Sequence, residues 1–170
     1  VASGGIMATA SFGPVSRDYG LDKIPVTCLG VTLPLLTMAM SIDNICNGAS
    51  RPIMGYLSDR FGRENIMFVV FMGEAAALLG LVFWGRQPLG FMFFAGMTFA
   101  CWGEIFSLFP SMCADTFGSA NAAGNAGTLY TAKGTSSLIV PLAAGLAKGG
   151  NWNRTFVLSA CIAAICSCLA

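Results

Sequence analysis

The chain has 170 residues, 55% hydrophobic and 10% charged, with a formal net charge of +1. A soluble domain carries about 25% charged residues, so this composition excludes an ordinary water-soluble globule and points to a protein of the lipid bilayer. The near-neutral balance supplies no long-range field to attract nucleic acid, and the lack of histidine removes Ser-His and Cys-His nucleophiles and histidine-ligated metal or haem, so neither a cofactor nor a metal is expected.

Residues 1–12 (VASGGIMATASF) are small and apolar. They are too short to cross a core of about 30 Å, which takes about 20 helical residues, and read as the tail of a span that begins upstream. Residues 13–23 form a loop with Pro14, Arg17, Asp18 and Lys23. A second span covers residues 24–56, with no charge from Ile24 to Ile42. Pro25 is expected in its first turn, and Pro34 and Pro52 are expected to kink it. A hydrophilic turn follows, packed with Asp59, Arg60, Gly62 and Arg63. The third span covers residues 65–85 and carries Glu74; the fourth covers residues 89–113 and carries Trp102 and Glu104. Residues 115–125 are small and polar. The fifth span, residues 126–147, holds Lys133 and Pro141, and residues 148–154 form a loop. Residues 155–170 begin a sixth span. The expected fold is all-α: a polytopic transmembrane helix bundle of six spans, the first and last truncated, in one domain over residues 1–170 of a longer protein.

Charged side chains inside a bilayer cost about 2.5–3.5 kcal/mol or more each, so they persist where they face a cavity or a partner. The candidates are Asp43, Arg51, Glu74, Glu104 and Lys133, with Asp59 at the membrane edge. Arg51 precedes Asp59 by eight residues, or about 12 Å of helix. If Asp59 marks one interface, Arg51 is near mid-membrane. Lys133 and Trp102 fall at similar depth in their own spans, and Phe106 is one turn from Trp102 on the same face. Two cations and an aromatic wall at one depth suit a small dianion, with the arginine as a planar fork and the lysine as a point charge. The alternative is structural: Arg51 and Lys133 paired with Asp43, Glu74 or Glu104. Glu104 lies about 200° around an ideal helix from Trp102 and is expected to serve helix packing, as are Asp43, Asn44 and Asn47.

The hydrophilic turn carries a specific pattern. Gly55-x-Leu57-Ser58-Asp59-Arg60-x-Gly62-Arg63 resembles the signature loop of the major facilitator superfamily of secondary transporters, which joins the second span of a six-span half to the third. The segments SIDNICNGASRPIMGYLSDRFGREN, FACWGEIFSLFPSMCADTFG and LYTAKGTSSLIVPLA look like the carboxy-terminal half of the oxalate/formate antiporter family, with coverage over nearly the whole chain. That resemblance implies helices seven to twelve of a twelve-helix transporter with its site between two halves. It also implies carboxylate contacts at Arg51, Lys133 and Trp102, with Phe106 in the aromatic cage where a tyrosine is the family's pattern. Gly55, Asp59, Arg60, Gly62 and Arg63 are the gating loop by the same resemblance, and Glu64 replaces its last basic residue.

The expected function is exchange of small dicarboxylates and monocarboxylates such as oxalate and formate by alternating access, as an integral, multi-pass protein of the cell (inner) membrane. Its expected partners are the bilayer and the amino-terminal half of the same transporter. The competing expectations are a proton-coupled monocarboxylate transporter of the same superfamily and a non-transporting membrane sensor. Nothing in the chain pairs a nucleophile with a base, so an enzyme is not expected.

Overall fold

The computed structural model describes residues 2–28, 30–118, 120–138, 141, 145 and 152–169. Seven helices account for most of them: α1 (Ala2–Asp18), α2 (Leu35–Phe61), α3 (Arg63–Trp84), α4 (Pro88–Gly103), α5 (Ile105–Phe117), α6 (Ala122–Ser137) and α7 (Trp152–Cys168). A short antiparallel hairpin, β1 (Pro25–Cys28) and β2 (Val31–Pro34), stands between α1 and α2. Among the described residues two stretches are long and apolar enough to cross a membrane, Arg63–Trp84 and Pro88–Phe117, and Trp152–Cys168 is a shorter apolar helix. The all-α bundle stands, with the hairpin added to it.

The second span expected over residues 24–56 divides. Its first third is the hairpin, in register from Pro25 opposite Pro34 to Cys28 opposite Val31. β-branched Val26, Thr27 and Thr32 favour extended backbone, and the Thr27 and Thr32 hydroxyls bond across the strands at 2.9 Å. Pro25 therefore lies in a strand. Pro34 does not kink a helix; it is the residue on which α2 begins, at φ −55° and ψ 140°. The remaining helix has 27 residues, or about 40 Å at ~1.5 Å per residue, and contains Pro52.

Other boundaries move too. The first helix continues through Pro14 to Asp18, so the loop after it is shorter than residues 13–23. The hydrophilic turn narrows to Gly62, because Asp59 and Arg60 are the last turn of α2 and Arg63 is the first residue of α3. Gly62 has φ 88°, a left-handed backbone that an L side chain adopts only at a cost. The fourth span is interrupted at Glu104, which separates α4 from α5, and α5 carries Asp115 within its final turns. The fifth begins at Ala122, and its expected second half and the loop over residues 148–154 fall mostly outside the described residues. The sixth helix starts at Trp152 rather than residue 155.

The two most extensive helix pairs are not neighbours in sequence. α4 lies along α2 and α3, and α3 also lies along α7. One core gathers Phe12, Leu35, Leu81, Phe91 and Phe156 at the hairpin end of the bundle, with the Phe12 and Phe91 rings edge to face at 5.5 Å. A second gathers Val70, Phe71 and Leu108 toward Gly62. At the hairpin end, Trp152 donates its indole N–H to Asp18 at 2.6 Å, and the Arg86 guanidinium sits 5.4 Å from the Tyr19 ring centre. Helix α6 rests on α5 and α1 and buries none of its described residues. Its Thr128, Thr131 and Ser136 hydroxyls bond back to the helix's own carbonyls, which leaves its outward faces for whatever lies beside this chain.

Candidate functional site

Phe106 is the centre of the constellation. It sits in the first turn of α5, just past the break at Glu104, and its ring meets Trp102 edge to face at 5.6 Å from the last turn of α4. Tyr130 approaches from α6 at 6.0 Å, and Phe99 extends the row behind Trp102 at 5.8 Å. The four rings make one apolar wall drawn from three helices.

Both cations face that wall. The Arg51 guanidinium carbon is 5.2 Å and the Lys133 ammonium 4.8 Å from the Phe106 ring centre, so the charges lie within about 10 Å of each other. Lys133 is also 5.8 Å from the Trp102 ring. An aromatic face attracts such cations by its quadrupole, worth about 0.5–2 kcal/mol per contact. Arg51 and Lys133 are exposed on this chain, whereas Trp102 and Phe106 are half-buried. The structure thus brings Arg51, Lys133, Trp102 and Phe106 together.

The cations have no carboxylate neighbour within ion-pair distance among the described residues. Ion pairs there are confined to Arg63, which meets Asp59 at 3.4 Å and Asp115 more closely. The structural pairing of Arg51 or Lys133 with Asp43, Glu74 or Glu104 is therefore not what these residues form. The three carboxylic groups are instead buried, at 1%, 0% and 0% exposure. Among the described residues no hydrogen bond within ordinary geometry reaches the Asp43 or Glu74 oxygens, and Glu104 accepts one at Oε2, from the Ser107 hydroxyl at 2.8 Å. The Glu104 carboxyl thus meets a side chain at the start of α5 and makes no cap hydrogen bond to that helix's backbone.

Asn47, Tyr130 and Gly5 also belong to the constellation, although the sequence reading gave them no such role. Asn47 accepts a hydrogen bond from Arg51 Nη2 at 2.8 Å; the i, i+4 spacing was the available signal. Tyr130 precedes Lys133 by three residues on one helix face. Gly5 of α1 lies against the Trp102 indole so closely that an added Cβ would overlap the ring. No local pattern announces that contact, since it joins elements far apart in sequence.

The gating-loop candidates occupy the far end of α2. Arg63 bridges the ends of α2 and α5 through Asp59 and Asp115. Arg60 lies 4.9 Å from the Tyr56 ring centre, and Gly55 has open space where a side chain would stand. Gly62, Arg63, Asn65 and Asp115 line a cavity of about 290 Å³ there.

The family model described as Major Facilitator Superfamily matches residues 1–170. The chain belongs to the major facilitator superfamily. Its superfamily relatives include the "Oxalate:formate antiporter" of Oxalobacter formigenes, 36% identical over 98% of this chain and 38% of that protein. An "Uncharacterized 38 kDa protein in 23S RNA operon" of Thermoproteus tenax is 27% identical over 92% of this chain and 42% of its own length. The "Uncharacterized MFS-type transporter YhjX" of Escherichia coli (strain K12) is 31% identical over 59% of this chain and 25% of its length. The chain thus spans well under half of the curated relatives it matches. Membership places it in a family of multi-helix integral membrane proteins.

Proposed function

We propose that this chain is the carboxy-terminal six-helix half of a secondary transporter that exchanges small organic anions of the oxalate and formate class by alternating access, in the cell (inner) membrane. The observation that carries the reading is the pair of cations, Arg51 and Lys133, over one ring and without a carboxylate partner among the described residues. A dicarboxylate bridging them would satisfy both charges at once, the guanidinium by a forked hydrogen bond and the ammonium as a point charge. The aromatic wall would exclude water and strengthen both attractions. Unloaded, the same charges resist closure of the two halves around a dry site, which favours obligatory exchange over uniport.

The name of the Oxalobacter relative, an oxalate:formate antiporter, supports the substrate class. The exposure of Arg51, Lys133 and α6 fits a site completed by the amino-terminal half. Counterflow in proteoliposomes of the full-length transporter tests the reading: labelled oxalate should enter only against internal oxalate or formate. Uptake driven by a pH gradient into anion-free vesicles would defeat it.

One observation favours a second reading. Asp43, Glu74 and Glu104 are buried carboxylic groups with unpartnered oxygens, the kind of group that carries protons in pumps. A proton-coupled monocarboxylate transporter of the same superfamily would use one of them, and it would give the pH-driven uptake just described.

A further inference from the structure

Asn47 holds two helices and one cation at the same time. Its Nδ2 donates to the Phe99 carbonyl of α4 at 3.3 Å, and its Oδ1 accepts from Arg51 Nη2 at 2.8 Å. The first bond decides the orientation of the carboxamide: the nitrogen must face the carbonyl, so the oxygen faces the guanidinium. The bond reaches a carbonyl in the last turns of α4, just before the helix breaks at Glu104. Gly103 makes the approach possible. A Cβ there would stand 2.9 Å from the Asn47 carbonyl oxygen and 3.1 Å from its carboxamide, tighter than ordinary contact.

An exposed arginine has substantial rotamer entropy to lose when it is held in one place. Arg51 is exposed on this chain, yet its guanidinium is held at both ends of its reach, by Asn47 and by the Phe106 ring. The holder is neutral. An aspartate in the same place would hold the guanidinium as well and cancel its charge. An amide occupies one N–H and leaves the net charge and the other donors to a ligand.

We propose that Asn47 is a positioning residue for anion binding: it orients Arg51 through a neutral hydrogen bond anchored on α4, so that geometry is fixed without neutralising the charge. This rests on the reading of Arg51 as an anion contact. It adds that the amide, and not merely a polar side chain, is required at position 47, and that Asn47 acts only through Arg51.

The test uses the full-length transporter in detergent, with oxalate binding read as a ligand-induced rise in melting temperature and transport read by counterflow. Asn47→Asp is expected to weaken oxalate binding by about tenfold or more, because the new carboxylate pairs with Arg51. Asn47→Ala is expected to weaken it by roughly three- to tenfold through KM, with kcat changed less than about twofold. In an Arg51→Gln background, neither change should cost further affinity. Oxalate affinity within about twofold of wild type in Asn47→Asp, or equal losses in both backgrounds, would overturn the proposal. Should Asn47→Ala not fold, the Asn47→Asp cycle alone decides. Wild-type affinity in Arg51→Gln itself would instead sink the site reading, which separates the two failures.

Discussion

The ammonium of Lys133 stands 4.8 Å from the centre of the Phe106 ring. The same ring carries Arg51, so one aromatic side chain on α5 serves as platform for cations from α6 and α2. Removing it should disturb both at once.

Phe106→Ala is accordingly expected to cost more than either cation contact alone, about 1–3 kcal/mol in anion affinity, or roughly five- to 150-fold. Phe106→Tyr keeps the ring and should hold affinity within about threefold, the new hydroxyl adding a donor. Equilibrium binding of oxalate to the full-length transporter checks both. Equal loss in the alanine and tyrosine variants would show that the ring face is not what matters.

Gly5→Leu forces a side chain into the space of the Trp102 indole. The expected cost is about 1–3 kcal/mol of stability, as for other overpacked contacts, and a displaced indole. The chain has three tryptophans, Trp84, Trp102 and Trp152. In the full-length transporter, with every other tryptophan replaced by phenylalanine, Trp84 and Trp152 among them, the emission of Trp102 is isolated and should shift on Gly5→Leu. An unchanged spectrum would mean that α1 yields and the wall stays in place.

Gly62→Ala asks a side chain to adopt φ 88°. The expected penalty is about 1–2 kcal/mol, seen as a lower melting temperature of the full-length protein. Gly55→Ala, in a helix with open space at that point, should be neutral or slightly stabilising. Identical melting for the two variants would contradict the backbone geometry of the α2–α3 junction.

Arg63→Gln removes the link between α2 and α5. Its carboxylate partners are 67% and 59% exposed, so the loss in stability is expected to stay within about 1 kcal/mol. The effect should fall on rate instead, with exchange slowed several-fold and oxalate affinity unchanged, since the link is remote from Phe106. A matched loss of affinity in equilibrium binding would count against that separation.

The convergence on Phe106 was legible because it needs only two kinds of arithmetic. Helical rise put Arg51 at mid-depth, and the spacing of Trp102 and Phe106 put two rings on one face. The start of α2 was hidden by an uncharged run from Ile24 to Ile42, which reads as one long span whether helical or extended. The prolines at its ends and its β-branched residues were the discriminating signals. The break at Glu104 carries no local signal such as a proline or glycine pair at that position, and the Asn47 bond to the Phe99 carbonyl nearby joins residues far apart in sequence. The bare faces of α6 were beyond periodicity for a related reason: the helix is small and polar on several sides, and which side meets a neighbour is decided by elements elsewhere.

The junction at Gly62 has a mechanical corollary. With one residue between α2 and α3, there is no slack for either rod to slip lengthwise past the other. Relative movement there reduces to a swing about a single pivot, and any push delivered at one tip reaches the other undamped.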